Sequence, residues 1–208
     1  MVVLCSDGLT SQNLINAMDQ FTSQCKTAAL VVTADNLYKE KNYHVQRCIE
    51  ELGKLGLTTT IADIDMEDPC SLLNYDVVEF IGGNPFYLLD SIRKHNAEEV
   101  IQKIAHDNVL IGWSAAAFVF SLSLELANEY TPDMNTIPLY DLNGLGLVPA
   151  YILPHYKKFL SRFHHFEDRC HSYEMKKGVE VVRLNDGDGL IFVNGNKSII
   201  RNNVKMQK

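Results

Sequence analysis

Val109-Leu-Ile-Gly-Trp-Ser-Ala-Ala-Ala-Phe118 is the stretch on which the fold turns. An apolar run stops abruptly at Gly112-Trp113-Ser114, and small residues suited to a helix start follow at once. A strand passing through a tight turn into a helix is the architecture of a nucleophile elbow, with Ser114 at its tip. Such a turn pushes the hydroxyl clear of the sheet and leaves unpaired backbone N–H groups behind it for an oxyanion. The common form Gly-x-Ser-x-Gly is incomplete here, because Ala116 stands where the second glycine would be. A plain strand–turn–helix junction is therefore the competing reading of the motif taken alone.

Outward from this stretch, short β-type runs alternate with helical segments, the pattern of a parallel sheet covered by helices. Strands are expected at Val2 to Cys5, Ala28 to Thr33, Thr58 to Ile64 and Val77 to Ile81. Helices are expected at Ser11 to Thr22, at Tyr43 to Leu55 with Gly56 as its stop, at Phe86 to His95 and at Ala97 to Asp107. Beyond Leu122 the pattern loosens, and Asn128 to Leu139, with Pro132 and Pro138, reads as a loop or lid. Ala150 to Leu153 is a short strand that delivers Pro154-His155, and Phe159 to Tyr173 reads as one helix. Strands at Val179 to Leu184, Gly189 to Val193 and Ser198 to Arg201 close the chain, the last two as a hairpin around Val193-Asn-Gly-Asn196. The expected fold is α/β, a mostly parallel twisted sheet with helices on both faces and a C-terminal β-hairpin, in a single domain spanning 1–208.

At 208 residues the chain can bury one substantial core but not two full α/β domains. Its 46% hydrophobic and 22% charged residues are those of a globular protein, and no apolar run approaches the roughly 18 residues that cross a bilayer. Met1-Val-Val-Leu-Cys-Ser-Asp-Gly8 reads as a first strand rather than a secretory signal, so a cytoplasmic location is expected. Five scattered cysteines without a C-x-x-C pair argue against a disulfide framework or a zinc site. A net charge of −7 argues against nucleic acid as a partner. The main basic cluster, His155-Tyr-Lys-Lys158 with Arg162, is either a solvated helix face or a means of drawing an acidic substrate group toward His155.

Sites in such sheets gather at the carboxyl ends of the strands, which directs attention to Gly82-Gly83-Asn84, Ser114, His155 and Asp186-Gly-Asp188. Serine needs a base within hydrogen-bond reach, and the base needs a carboxylate to hold its tautomer. Of seven histidines, only His155 follows an apolar strand; His44, His95, His106, His164, His165 and His171 fall in helical stretches where surface positions are expected. Asp186 and Asp188 both suit the acidic role, with turn chemistry as the alternative, while Asp133 and Asp141 in the loose region rank lower. Gly82 and Gly83 permit close approach to a bound carbonyl, and the N–H of Gly83 could pair with that of Ala115 as an oxyanion hole.

Four successive motifs, Ile81-Gly-Gly-Asn-Pro-Phe-Tyr-Leu-Leu89, Ile111-Gly-Trp-Ser-Ala-Ala-Ala117, Leu142-Asn-Gly-Leu-Gly-Leu147 and Leu153-Pro-His-Tyr156, resemble the aspartyl dipeptidase (peptidase E) and cyanophycinase family of serine peptidases. The resemblance implies a flavodoxin-like fold similar to the class I glutamine amidotransferases, with Ser114 as nucleophile, His155 as base and Asp186 in Leu184-Asn-Asp-Gly187 as the acid. It also implies substrate contacts from Gly82, Gly83, Asn84 and Ala115, and no cofactor or metal. Members cleave an N-terminal aspartyl residue from a dipeptide or a β-aspartyl–arginine polymer. Two departures stand out, Ala116 for the usual glycine and Pro85 for the usual threonine. The basic residue that would bind an aspartyl carboxylate downstream of the histidine has only Arg162 and Arg169 as candidates.

The expectation is a serine exopeptidase acting on small peptides through a Ser-His-Asp triad and an acyl-enzyme. Its rivals are a catalytically silent binding protein on the same fold and an acyl or ester hydrolase. A small peptide is the expected partner, with no nucleic acid and no membrane; the oligomeric state stays open, a homodimer among the options.

Overall fold

A computed structural model describes residues 1–137 and 139–202. Among the described residues nine strands are present: β1 (Val2–Cys5), β2 (Thr27–Val31), β3 (Thr58–Ala62), β4 (Val77–Phe80), β5 (Val109–Trp113), β6 (Tyr151–Leu153), β7 (Val181–Arg183), β8 (Gly189–Val193) and β9 (Asn196–Ile200). Seven of them form one sheet in the order β3-β2-β4-β5-β1-β8-β9. The first five run parallel to one another, and β8 and β9 join antiparallel as the terminal hairpin. Every residue of β1, β4 and β5 is buried, which is why they read as unbroken apolar runs: a central parallel strand is covered on both faces. Edge strand β3, by contrast, alternates between exposed and half-buried residues along most of its length.

The helices are α1 (Gln12–Thr22), α2 (Val45–Lys54), α3 (Pro85–Lys94), α4 (Glu98–Asp107), α5 (Ala115–Phe120), α6 (Glu125–Tyr130), α7 (Tyr156–Arg162) and α8 (Phe166–Lys177). They cover both faces of the sheet, as side-chain alternation along the strands shows. A Cβ on Gly112 would meet Phe120 and Ala116 of α5, so Gly112 and its neighbour across the ladder, Leu4, face α5. Next along β1, Cys5 pairs with Gly189, and a Cβ there would meet Leu14 of α1. Thus α5 and α1 lie on opposite sides.

Local chemistry sets the boundaries. Ser11 caps α1 by accepting from the Leu14 amide at 3.2 Å, and Leu14 and Met18 are fully buried beneath that helix. Asn84 caps α3 through the Phe86 and Tyr87 amides, with Pro85 at the first helical position, where its missing N–H costs nothing. Asn194 and Gly195 take φ of 49° and 78°, the pair of positive angles that a two-residue hairpin turn requires.

Two expectations need correction. The single helix over Phe159 to Tyr173 is two helices, α7 and α8, broken at 163–165 with His165 at φ 50°. Phe159, Phe163 and Phe166 have the spacing of one helix face, which hides the break; all three rings gather around buried Tyr130 at centroid distances of 4.5 to 6.2 Å. The loop expected from Asn128 to Leu139 begins later, because α6 runs to Tyr130 and a 3₁₀ turn spans Pro132–Met134; Pro138 lies outside the described residues. Apart from the main sheet, β6 and β7 pair with each other as a separate parallel ladder. No helix among the described residues is long and apolar enough to cross a membrane.

Candidate active site

Strand order explains why distant residues meet. Neighbouring β4, β5 and β1 end side by side, placing Gly82-Gly83, Ser114 and Ser6 on one rim. Antiparallel β8 starts at that same rim, with Gly189 opposite Cys5, and the Ser6 amide donates to the Asp188 carbonyl at 3.1 Å. Asp186 therefore arrives beside Ser6. His155 is brought in by the small ladder: the Leu184 amide donates to the Leu153 carbonyl at 2.9 Å, and the Tyr156 amide to the Leu184 carbonyl at 3.1 Å.

Ser114 sits between β5 and α5 at φ 53°, ψ −105°, a backbone conformation that L residues rarely adopt and that a nucleophile elbow imposes. It keeps this conformation with Ala116 in place. Room in the elbow comes from Gly112 instead, where a Cβ would lie 2.6 Å from the Phe120 ring and 3.1 Å from the Ala116 Cβ. On the next strand end, a Cβ at Gly82 would overlap the Trp113 ring. One at Gly83, whose φ is 153°, would strike the Ala34 carbonyl. Both glycines are thus required for close packing beside Ser114.

His155 is left-handed, φ 57° and ψ 29°, immediately before α7. Its Nε2 lies 2.9 Å from Ser114 Oγ and its Nδ1 2.7 Å from Asp186 Oδ1. With Asp186 ionised, the proton belongs on Nδ1, which leaves Nε2 free to accept from the serine hydroxyl. Burial alone would raise the Asp186 pKa. Hydrogen bonds from His155, Lys158 and Ser6 outweigh it and hold the carboxyl well below the usual carboxylate range.

Two supports of this array are not evident from sequence. Ser6, fully buried at the end of β1, accepts from the His155 amide at 2.8 Å and donates to Asp186 Oδ1 at 2.9 Å. It ties the backbone of His155 to the Asp186 carboxylate. Lys158, itself exposed, also reaches the array: its Nζ lies 2.6 Å from Asp186 Oδ2. The only sequence signal for Ser6 is its place directly after the first apolar strand.

The other sequence candidates are distributed differently. Asp188 is 2% exposed and accepts from Asn185, Arg201 and Asn202, so it stitches the loop before β8 to the chain end. Asp141 pairs with Arg93, and Asp133 lies in the 3₁₀ turn. Asn84 is committed to its cap and, through Nδ2, to the Met134 carbonyl at 2.7 Å. Arg169 bonds to Glu129 and stacks on Tyr130, and Arg162 stacks on Phe163. His95, His106, His164, His165 and His171 are exposed, as expected.

A cavity of about 360 Å³ opens over Ser114 and His155, lined also by Asp7, Asn42, Tyr43, His44, Arg47, Gly82, Gly83, Trp113 and Lys158. His44 is the exception among the histidines, half-buried and edge-on to Trp113 at 5.3 Å. Burial, and then the charge of Arg47, lower its pKa. Below the cavity floor, the ligand atoms of Cys48, Glu51 and Glu79 lie within 4.8 Å of one another, all buried. This group suits protons better than a metal ion. Burial pushes the Cys48 thiol far up and Glu79 to about 8, and the Arg47 guanidinium already occupies Glu51 at 3.2 Å.

Comparison with known proteins bears on the family and the fold. The sequence profile of peptidase family S51 matches residues 2–200. A peptidase E of Shewanella sp. (strain W3-18-1) is 33% identical over 122 residues, 57% of this chain and 50% of that protein. An uncharacterized peptidase of Listeria monocytogenes is 29% identical over 138 residues, 64% of this chain and 67% of that protein. The match thus spans only about half the length of the Shewanella relative. In three dimensions, a crystal structure assigned to peptidase E from Listeria monocytogenes superposes with a TM-score of 0.75 at 21% identity, covering 96% of this chain and 97% of the other. A peptidase from an acI-B1 Actinobacterium superposes with a TM-score of 0.70 at 16% identity, covering 96% and 86%; both likenesses speak to the fold. With the profile spanning nearly the whole chain, the protein belongs to peptidase family S51.

Proposed function

We propose that the protein is a serine exopeptidase that hydrolyses small peptides, aspartyl dipeptides among them, through Ser114, His155 and Asp186. The unbroken hydrogen-bond relay from Ser114 Oγ through both ring nitrogens of His155 to Asp186 carries this reading. Ser114 Oγ attacks the scissile carbonyl carbon as its proton passes to His155 Nε2. The oxyanion falls to the amides of Gly83 and Ala115, and the His155 proton then goes to the departing amine. A water, deprotonated by the same nitrogen, releases the acyl group and restores the serine. Asp186 keeps the imidazole in the required tautomer and stabilises its charged form.

The test pairs labelling with turnover. A fluorophosphonate probe should label the wild type and not its Ser114→Ala variant. Amino-acid release from Asp-x dipeptides, beside Ala-x, Glu-x and β-aspartyl forms, should vanish in that variant. An unlabelled wild type would favour the silent binding protein, for which Ala116 in the elbow is the motivating residue. Labelling with turnover of esters alone would favour an acyl hydrolase.

A further inference from the structure

The main sheet has two edges, and they are finished differently. At one, β9 carries Lys197, the kind of charge that deters another chain from pairing with an exposed strand. At the other, β3 reads Thr58-Thr-Thr-Ile-Ala62, with neither charge nor proline and with β-branched residues that favour an extended chain. In its parallel ladder with β2, the Thr58 amide donates to the Lys26 carbonyl at 2.9 Å, and the Ala62 carbonyl accepts from the Val32 amide at 3.0 Å. Main-chain groups alternate in direction along a strand, so Thr58, Thr60 and Ala62 turn theirs toward β2 while Thr59 and Ile61 turn theirs outward. No described residue pairs with those outward amides and carbonyls.

Beside the exit of β3 lies a groove of about 460 Å³, lined by Val32, Ile61 and Ala62 and by Leu37, Tyr38 and Met66, which are 77%, 63% and 81% exposed. Apolar side chains so exposed, gathered at one unpaired strand, mark an interaction surface. Charge says what fits it. Exposed Glu67 and Asp68 follow β3, whereas exposed Lys26 and Lys54 precede β2 and β3 at the opposite end. The nearby ion pairs, Lys39 with Asp63 and Asp65 and Arg47 with Glu51, leave all four unpaired among the described residues. Two such edges laid antiparallel set the exit of one strand against the entry of the other, so the acids of each copy meet the lysines of its partner. We propose that β3 is a homodimer interface, at which a second copy of this chain pairs antiparallel across a two-fold axis at Thr60 and continues the sheet. Thr59 of each copy then exchanges hydrogen bonds with Ile61 of the other, which satisfies every outward group, and the Lys54 end of one copy enters the groove beside Glu67 of the other. Leu37 and Tyr38 belong to the segment between β2 and α2 that also supplies Asn42, Tyr43 and His44 to the cavity over Ser114, so the interface and the candidate site share one loop.

Sedimentation velocity on the full chain from about 1 to 100 µM measures the association, and a dimer is expected at the upper end. Thr60→Lys sets like charges face to face at the axis, on a side chain that is exposed in the single chain, and should weaken the dimer by about tenfold or more. Thr59→Pro removes an outward amide that the β2 ladder does not use, and should weaken it similarly. Unchanged circular dichroism would show that each variant is folded. Lys54→Glu and Glu67→Lys should each weaken association, and the double variant should restore it, because the swap re-creates each pair with its charges exchanged. In amide hydrogen exchange, Thr59 and Ile61 should slow by about tenfold or more in the concentrated sample, while Thr60, already bonded to β2, changes little. A monomer at every concentration, a dimer indifferent to both edge variants, a double charge variant no better than the single ones, or exchange at Thr59 and Ile61 unaltered by concentration would each overturn the proposal.

Discussion

Glu79 lies on an inner strand, 0% exposed, and neither carboxyl oxygen makes a well-formed hydrogen bond among the described residues; Trp113 and Cys48, its nearest side-chain donors, only partly offset the burial. An ionised carboxylate in that position would be prohibitively costly, so the group resolves the conflict by keeping its proton. Burial, with a smaller push from Glu51, raises its pKa from 4.5 to about 8. Replacing Glu79 by Gln keeps the shape and removes the titration. Between pH 4.5 and about 8 the folded chain holds a proton here that the unfolded chain has released, so stability must fall as pH rises through that interval. At about 1.4 kcal/mol per pH unit, the whole interval caps the loss at about 5 kcal/mol.

Urea unfolding at pH 5, 6, 7 and 8 would measure it for both proteins. The wild type should lose stability relative to Glu79→Gln by about 1.4 kcal/mol per unit at most, with the difference flattening above pH 8. Because all other groups titrate in both proteins, the difference isolates Glu79. Parallel stability curves would refute the reasoning and mean that Glu79 ionises at an ordinary pH inside the fold. A variant whose advantage grows toward low pH would refute its sign.

Asp186→Asn should leave the fold and KM nearly unchanged and lower kcat by about three to four powers of ten, because the amide favours the wrong imidazole tautomer; steady-state kinetics would show it. Ser6→Ala strips an acceptor from the buried His155 amide and a donor from Asp186, and should cost about 1–3 kcal/mol in urea unfolding while kcat falls more than KM changes. Gly83→Ala forces a Cβ against the Ala34 carbonyl at a φ that favours glycine, and a thermal melt should show a loss of about 2 kcal/mol or more. Lys158→Met removes one of the groups that depress the Asp186 pKa. A carboxyl with a depressed pKa adds stability that is lost as pH falls through its folded value. The variant should therefore begin to unfold at a higher pH than wild type in an acid titration followed by circular dichroism.

Residues that must lie at a strand end are legible in sequence, since an apolar run that stops at a polar residue marks the end. Ser114, Gly82-Gly83 and His155 are found that way. Asp186 stands beside Asp188 on the same criterion, and only geometry separates them: one meets the imidazole, while the other is enclosed by Arg201 and two amides. Register decides this, because the Gly189–Cys5 pairing determines which loop residue hangs over β1.

The cavity wall is harder to foresee for a different reason. His44 and Arg47 stand at the start of an amphipathic helix, on what composition marks as its polar face. Whether a polar face looks to solvent or across a cavity depends on where the helix begins relative to the strand ends. Here α2 packs on β2 and β3, and Arg47 and His44 reach Trp113 at the end of β5 across intervening β4. That reach depends on strand order, which no local pattern encodes. The same order buries Glu79, because β4 lies between β2 and β5 with α2 above. A charged residue in Val-Val-Glu-Phe would mark a solvent face on an edge strand. On an inner strand it becomes an acid whose burial pushes its pKa up to about 8, beside the Glu51 that Arg47 holds at 3.2 Å.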